Sequence, residues 1–276
     1  MQTASAWASC SEQYFNGVSP EIVNPAMQRE TTAVCASAYS LVNSGITRTP
    51  LWSAEYLTRK RVAMAEHMQR INSFHPEDEL PENQRAELKD YSRTGYDRGH
   101  MAPSGDMPDA QSQYESFSLA NMIPQNPDNN RHLWEGIESA VRTLAKREGD
   151  LYVITGPLFE GANIKQLHGH VMVPTRIYKA IYNPRRNEAG AYLVNNAPGM
   201  AYEVGSVAEI EKLSGLDLFP RMSPQIKNRV MRLPTPTPHG YHGRQERQAE
   251  QLSAGYAPAY HAAHSAFDAI KHHFFR

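Results

Sequence analysis

The sequence predicts a domain of mixed helices and strands, of the α+β class, and three stretches carry that expectation. From about Asn130 to Arg147, Leu133, Ile137, Val141 and Leu144 recur at helical spacing. Leu151-Tyr152-Val153-Ile154-Thr155 is a short apolar run closed by Gly156-Pro157, which reads as a buried strand. Arg176 to Asn183 and Ala191 to Asn195 read as a strand pair, joined by the turn-rich run from Pro184 to Gly190.

The chain has 276 residues and a formal net charge of −1. That length suits one large domain, or one domain with appendages. No apolar run is long enough for a membrane span. A near-neutral charge argues against a generally basic nucleic-acid coat, so any such binding needs a local cleft of Arg and Lys.

Taken in order, residues 1–45 form an N-terminal segment carrying both cysteines, Cys10 and Cys35. Two cysteines in an otherwise cysteine-free chain suggest a disulfide and an oxidising compartment, with two buried thiols as the alternative. No charged-then-apolar signal peptide is visible, and the expectation is a secreted or periplasmic protein. Residues 46–233 form the core. Within it, Trp52 to Tyr56 is extended, Arg59-Lys60-Arg61 is a basic run facing phosphate or solvent, 75–83 is a loop, and Arg85 to Tyr91 is a short helix or turn. Residues 102–116 read as an irregular loop with a short helix, and Phe117 to Ile123 as a strand. Residues 168–173 read as another strand, with His168 and His170 on one face but no third metal ligand in view. Val207 to Ser214 is a helix ending at Gly215. Residues 234–276 read as a linker that departs from the core, then a helical appendage bearing His261, His264, His272 and His273.

Two polar clusters stand out. The first is Tyr96-Asp97-Arg98-Gly99-His100-Met101-Ala102-Pro103. An imidazole is well suited to take a proton from water near neutral pH. Arg98 can fork onto phosphate oxygens. Gly99 permits an unusual conformation or a close approach, and Asp97 can orient a neighbour. The plainer reading is a loop with a local Asp97–Arg98 ion pair and a half-buried His100. The second cluster runs from Ser118 to Gln125 and on to Asn130, Trp134 and Glu138. Asp128 or Asn129 can cap a helix here. Spacing by four puts Asn130, Trp134 and Glu138 along one face. An amide oxygen and a carboxylate two turns apart can hold a hard cation that keeps several waters. The plainer reading is a capped amphipathic helix.

Together the clusters Asp-Arg-Gly-His-Met-Ala-Pro, Ser-Leu-Ala-Asn-Met-Ile-Pro-Gln and Asn-x-x-x-Trp-x-x-x-Glu resemble the DNA/RNA non-specific endonuclease family, which includes secreted bacterial nucleases and mitochondrial endonuclease G. The resemblance runs from about Thr47 to about Pro220 and takes in Thr49 to Glu55, Ile154 to Pro157, Tyr178-Lys179 and Leu213 to Leu216. It implies a mixed α/β domain with a central antiparallel sheet and a ββα-metal site. It implies His100 as general base, Asn130 as ligand of magnesium (or manganese), and Glu138 holding the metal's water shell. It places Arg98 and Asn121 beside the scissile phosphate, with Arg70 as the candidate upstream arginine. The implied reaction is hydrolysis of DNA and RNA to 5′-phosphate products, with an inhibitor protein as a further partner. Oligomeric state stays open. The competing expectations are an inactive relative that binds nucleic acid or protein, and a histidine-rich metal-binding module.

Overall fold

The computed structural model describes residues 10–238. Its strands are β1 (Glu21–Ile22), β2 (Thr31–Cys35), β3 (Ser40–Ser44), β4 (Thr49–Leu57), β5 (Asp97–His100), β6 (Met122–Gln125), β7 (Leu151–Leu158), β8 (Gln166–Leu167), β9 (Val171–Met172), β10 (Arg176–Asn183), β11 (Glu188–Asn195), β12 (Tyr202–Gly205) and β13 (Leu216–Asp217). The helices are α1 (Arg59–Ala65), α2 (Leu88–Tyr91), α3 (Ala110–Ser116), α4 (Glu135–Glu148), α5 (Val207–Ser214) and α6 (Pro224–Lys227). Seven strands form one sheet in the order β12-β11-β10-β7-β4-β3-β2, and every pairing is antiparallel. The class is α+β, with the central antiparallel sheet.

Both faces of the sheet are covered, so its middle strands are apolar on both sides. Trp52, Ala54, Ile154, Tyr178 and Ala180 pack with Val207 and Ile210 of α5. Leu57, Val153, Ile177 and Ile181 pack with Leu133, Ile137, Val141 and Leu144 on the helical segment that runs into α4. Alternation along β4, β7 and β10 puts Glu55, Thr155 and Lys179 on that second face, a polar row among aliphatic neighbours. Beside it lies a two-stranded ribbon of β5 and β6, and β6 leads into α4. Among the described residues no helix is long and apolar enough to cross a membrane.

Several elements differ from expectation, each for a local reason. β2 and β3 belong to the central sheet, so it extends to both sides of position 45, and Cys10 is bridged to Cys35 at the edge strand. Residues 119–121 form a tight turn, because Ser118 accepts a hydrogen bond from the Ala120 N–H, and the strand begins only at Met122. β7 does not stop at Gly156-Pro157; both pair with β10, at Tyr178 and Ile177. His168 and Gly169 have φ of 46° and 74°, so residues 168–170 turn between β8 and β9, and of the expected strand over 168–173 only Val171-Met172 pairs. The helix cap is Asn126, whose side chain accepts from the Asp128 and Asn129 N–H groups. Of the expected linker, residues 234–238 stay against the domain: the Tyr192 hydroxyl donates to the Pro234 carbonyl, and the Thr237 backbone lies on Gly136. The tail histidines lie outside the described residues.

Candidate active site

The ribbon holds the first cluster. Gly99 faces Ile123, and His100 faces Met122. A Cβ at Gly99 would overlap the Gln125 side chain, which is fully buried. Gly99 is therefore needed for close approach. Asn121 is fully buried and wholly engaged. Its Oδ1 accepts from the Ala102 N–H (2.9 Å) and from Ser53 Oγ (3.0 Å), and its Nδ2 donates to the carbonyls of Ala102 (2.9 Å) and Ser116 (3.0 Å). The Met101 N–H donates to the Asn121 carbonyl (3.0 Å). Asn121 thus fixes the chain just after His100.

His100 is buried, with 8% of its surface exposed, and its Nε2 has no hydrogen-bond partner. Phe117 stands edge-on to its ring at 4.8 Å between centroids, and Phe74 lies tilted at 5.9 Å. Burial, and then the nearby Arg70 charge, bring its pKa down to about 3. The ring is therefore neutral through the physiological range. The two phenylalanines also carry the arginines. The Arg98 guanidinium lies 4.1 Å from the Phe74 ring centre, and that of Arg70 lies 5.2 Å from Phe117. Arg70 further donates to Asn72 Oδ1 (2.9 Å) and Ser104 Oγ (3.1 Å). Among the described residues neither arginine makes an ion pair.

The second cluster enters on a π-helical segment, Asn129–Trp134, that continues into α4. Such widened turns frequently occur at functional sites. Asn130 Nδ2 donates to Asp97 Oδ2 (2.9 Å), which ties the helix to β5 and leaves the Asn130 Oδ1 unclaimed. Asp97 is also gripped by Arg131 through Nε (2.8 Å) and Nη2 (2.7 Å), so its ion pair is with Arg131 and not Arg98. Glu138 is half-buried and, among the described residues, forms no hydrogen bond or ion pair. Burial pushes its carboxyl up to about 7, against the opposing pull of Lys179 and Arg142. Behind it lies the polar row of the sheet. Lys179 donates to Thr155 Oγ1 (2.8 Å), and Glu55 pairs with Arg61 (3.3 Å). Arg142 reaches Asp106 (3.1 Å), tying α4 to the turn that follows His100. Arg61, from the basic run, is buried, paired with Glu55 and bonded to the Asp106 and Tyr56 carbonyls, so it is not on a solvated face.

These donors fit a hard divalent cation. Asn130 Oδ1 and the Glu138 carboxylate are uncommitted oxygens, the ligand type such ions take. Among the described residues no group of three or more His, Cys, Asp and Glu gathers, so a cation here would draw most of its coordination from water and substrate.

The family model described as DNA/RNA non-specific endonuclease matches residues 19–225. The chain belongs to that family.

Among curated relatives, a mitochondrial nuclease EXOG of Danio rerio is 36% identical over 199 residues, 64% of this chain and 58% of its own length. Nuclease C1 of Cunninghamella echinulata is 36% identical over 195 residues, covering 63% of this chain and 77% of the relative. A nuclease of Nostoc sp. is 31% identical over 233 residues, covering 78% and 81%. The chain thus spans under two thirds of the EXOG relative. A solved structure of the EndoG/EndoGI complex, described as showing the mechanism of EndoG inhibition, aligns with a TM-score of 0.64 at 25% identity, over 82% of this chain and 96% of that one.

Within this family frame, the geometry assigns the sequence-predicted residues unequally. His100, Arg98 and Arg70 share one aromatic cage, and Asn130 is bonded to the same strand. Asn121 is fully buried, and its amide is engaged by the backbone of Ala102 and Ser116 and by Ser53 Oγ. Asn121→Ala would strand several buried polar groups at ~1–3 kcal/mol each. We expect a clear fall in Tm; a Tm within a degree of wild type would contradict the scaffold role. Phe74, Phe117, Lys179 and Arg142 were not singled out from sequence as parts of the site. An apolar or charged residue far along the chain carries no local signal of this kind, although Lys179 did fall within the family resemblance.

Proposed function

We propose that the protein is a cation-dependent endonuclease that hydrolyses phosphodiester bonds of DNA and RNA, leaving 5′ phosphates. The observation that carries this reading is the neutral, buried His100 beside two guanidiniums that no carboxylate among the described residues neutralises. His100 accepts the proton of the attacking water. Arg98 and Arg70 hold phosphate oxygens and offset the charge that develops on them. Asn130 would hold magnesium through its side-chain oxygen, and Glu138 would hold its hydration shell; manganese would suit the same donors. When bound, the cation supplies charge neutralisation at the phosphate and the leaving oxygen. Because these groups address phosphate alone, base and sugar preference is weak.

Incubation with supercoiled DNA and single-stranded RNA tests the reading. Cleavage of both with 5′-phosphorylated ends in magnesium, lost in EDTA, is expected. Cleavage that persists in EDTA would sink it. The pH profile adds a second check. Glu138 is raised to about 7, so below that pH protons compete with the cation for its carboxylate. Activity should fall on the acid side of about 7, and this limb should move to lower pH as magnesium is raised. A limb that ignores magnesium would remove Glu138 from cation binding. His100, lowered to about 3, stays neutral over this range and adds no limb of its own in the free enzyme.

The Cys10–Cys35 bridge supports an oxidising compartment, for which secretion or the periplasm is our proposal. The mitochondrial names of several relatives speak for the other setting. An inhibitor protein is a proposed partner, by analogy with the EndoG complex.

A further inference from the structure

Arg70 and Arg98 are not the only cations of the site seated on rings. Among the described residues there are four such pairs, Arg70 on Phe117, Arg98 on Phe74, Lys165 on Tyr96 and Lys179 on Trp134, and all adjoin the two polar clusters. A carboxylate partner fixes a cation but cancels its charge, as Asp97 does for Arg131. An aromatic face fixes a cation and leaves the charge available. Three of these four pairs are accounted for by the cage around His100 and the buried row behind Glu138. The pair of Lys165 and Tyr96 is not.

Lys165 is exposed and makes no ion pair among the described residues. Its Nζ lies 4.7 Å from the Tyr96 ring centre and 3.5 Å from the Tyr96 hydroxyl. Its backbone is pinned, because the Val173 N–H donates to its carbonyl (2.8 Å). Tyr96 immediately precedes β5, so alternation puts Tyr96, Arg98 and His100 on one side of the strand. The packing agrees: Tyr96 and Phe74, which carries Arg98, lie against the same cluster of Leu119, Met122 and Val173. Successive same-side positions on a strand are roughly 7 Å apart, a step comparable to that between neighbouring phosphates on one nucleic-acid strand.

We propose that Lys165, seated on Tyr96, is a further phosphate-binding residue that takes the substrate phosphate next to the scissile one. The proposal rests on the endonuclease reading and extends its substrate groove along β5, beyond Arg98. Its contribution is to binding, since it lies past the arginines from the reacting atoms.

The test compares wild type with Lys165→Met, Lys165→Arg, Tyr96→Leu and Tyr96→Phe. On oligonucleotides, K165M should raise KM several-fold with a smaller change in kcat, and should reduce the slope of log(kcat/KM) against log[salt] by about 1. K165R and Y96F, which keep the charge and the ring, should restore most of the loss. Y96L should resemble K165M, and the double variant should be no worse than either. The KM effect should shrink for a substrate with one phosphodiester and no neighbouring phosphate. Wild-type KM and salt slope in K165M would overturn the proposal, as would full additivity of Y96L and K165M. Binding of a labelled oligonucleotide to the His100→Ala protein in EDTA reads the same salt slope without cleavage. A slope lowered by K165M there, with wild type failing to cleave in magnesium, would uphold the Lys165 contact while removing the catalytic reading. An unchanged slope with cleavage intact would do the reverse.

Discussion

His100→Ala should lower kcat by about 10²–10⁴-fold, the usual contribution of a general base, with oligonucleotide binding little changed. Two features concentrate the effect in kcat. The imidazole is the one base in the aromatic cage, and its Nε2 has no other partner to be lost. Arg98 and Arg70, which we propose hold phosphate, sit on Phe74 and Phe117, so removing the imidazole leaves both seats in place. The variant should cost some stability, because the ring packs edge-on against Phe117 and leaves a cavity. A thermal melt and a binding isotherm separate that cost from the chemical one. A variant that folds, binds and cleaves at near the wild-type rate would remove His100 from the reaction.

Asn130→Ala should produce the second large loss, and with a different signature. It removes the oxygen that we propose holds magnesium and also the 2.9 Å bond that joins the helix to Asp97. Outer partners of a metal site already cost ~10–100-fold in affinity or activity when removed, and a direct ligand should cost at least as much. The magnesium concentration for half-maximal activity should therefore rise, with part of the rate recovered at high magnesium. Asn130→Asp restores an oxygen but sets a second carboxylate against Asp97, which Arg131 must then share. It should rescue less than its shape suggests. If Asn130→Ala kept the wild-type magnesium dependence, the cation would have to be held elsewhere.

Some of this was legible in the sequence because the deciding interactions are local. Helix α5 spans the expected residues: Ser206 and Glu209 cap each other's backbone, and Gly215 takes the left-handed conformation at the end. The β10–β11 pair follows from two apolar runs and a turn. His100, Asn130 and Glu138 stand out because polar residues cluster tightly around them. What depends on distant segments was not legible. The row of Glu55, Thr155 and Lys179 exists only through the register of β4, β7 and β10. Phe74 and Phe117 meet His100 from separate stretches of chain. Asn121 looks like a site residue from its neighbours in sequence, yet a side chain's direction at a turn is set by packing, and here it points into the backbone. His168 and His170 alternate as strand residues would, but Gly169 made a tight turn the better solution.

The most direct measurement is a time course on supercoiled plasmid and on single-stranded RNA, run with wild type in magnesium, wild type in EDTA, and His100→Ala in magnesium. The account predicts cleavage of both substrates in the first reaction, none in the second, and a loss of at least about 10²-fold in the third. Equal rates for His100→Ala and wild type, or no cleavage by wild type with its Cys10–Cys35 bridge intact, would contradict it.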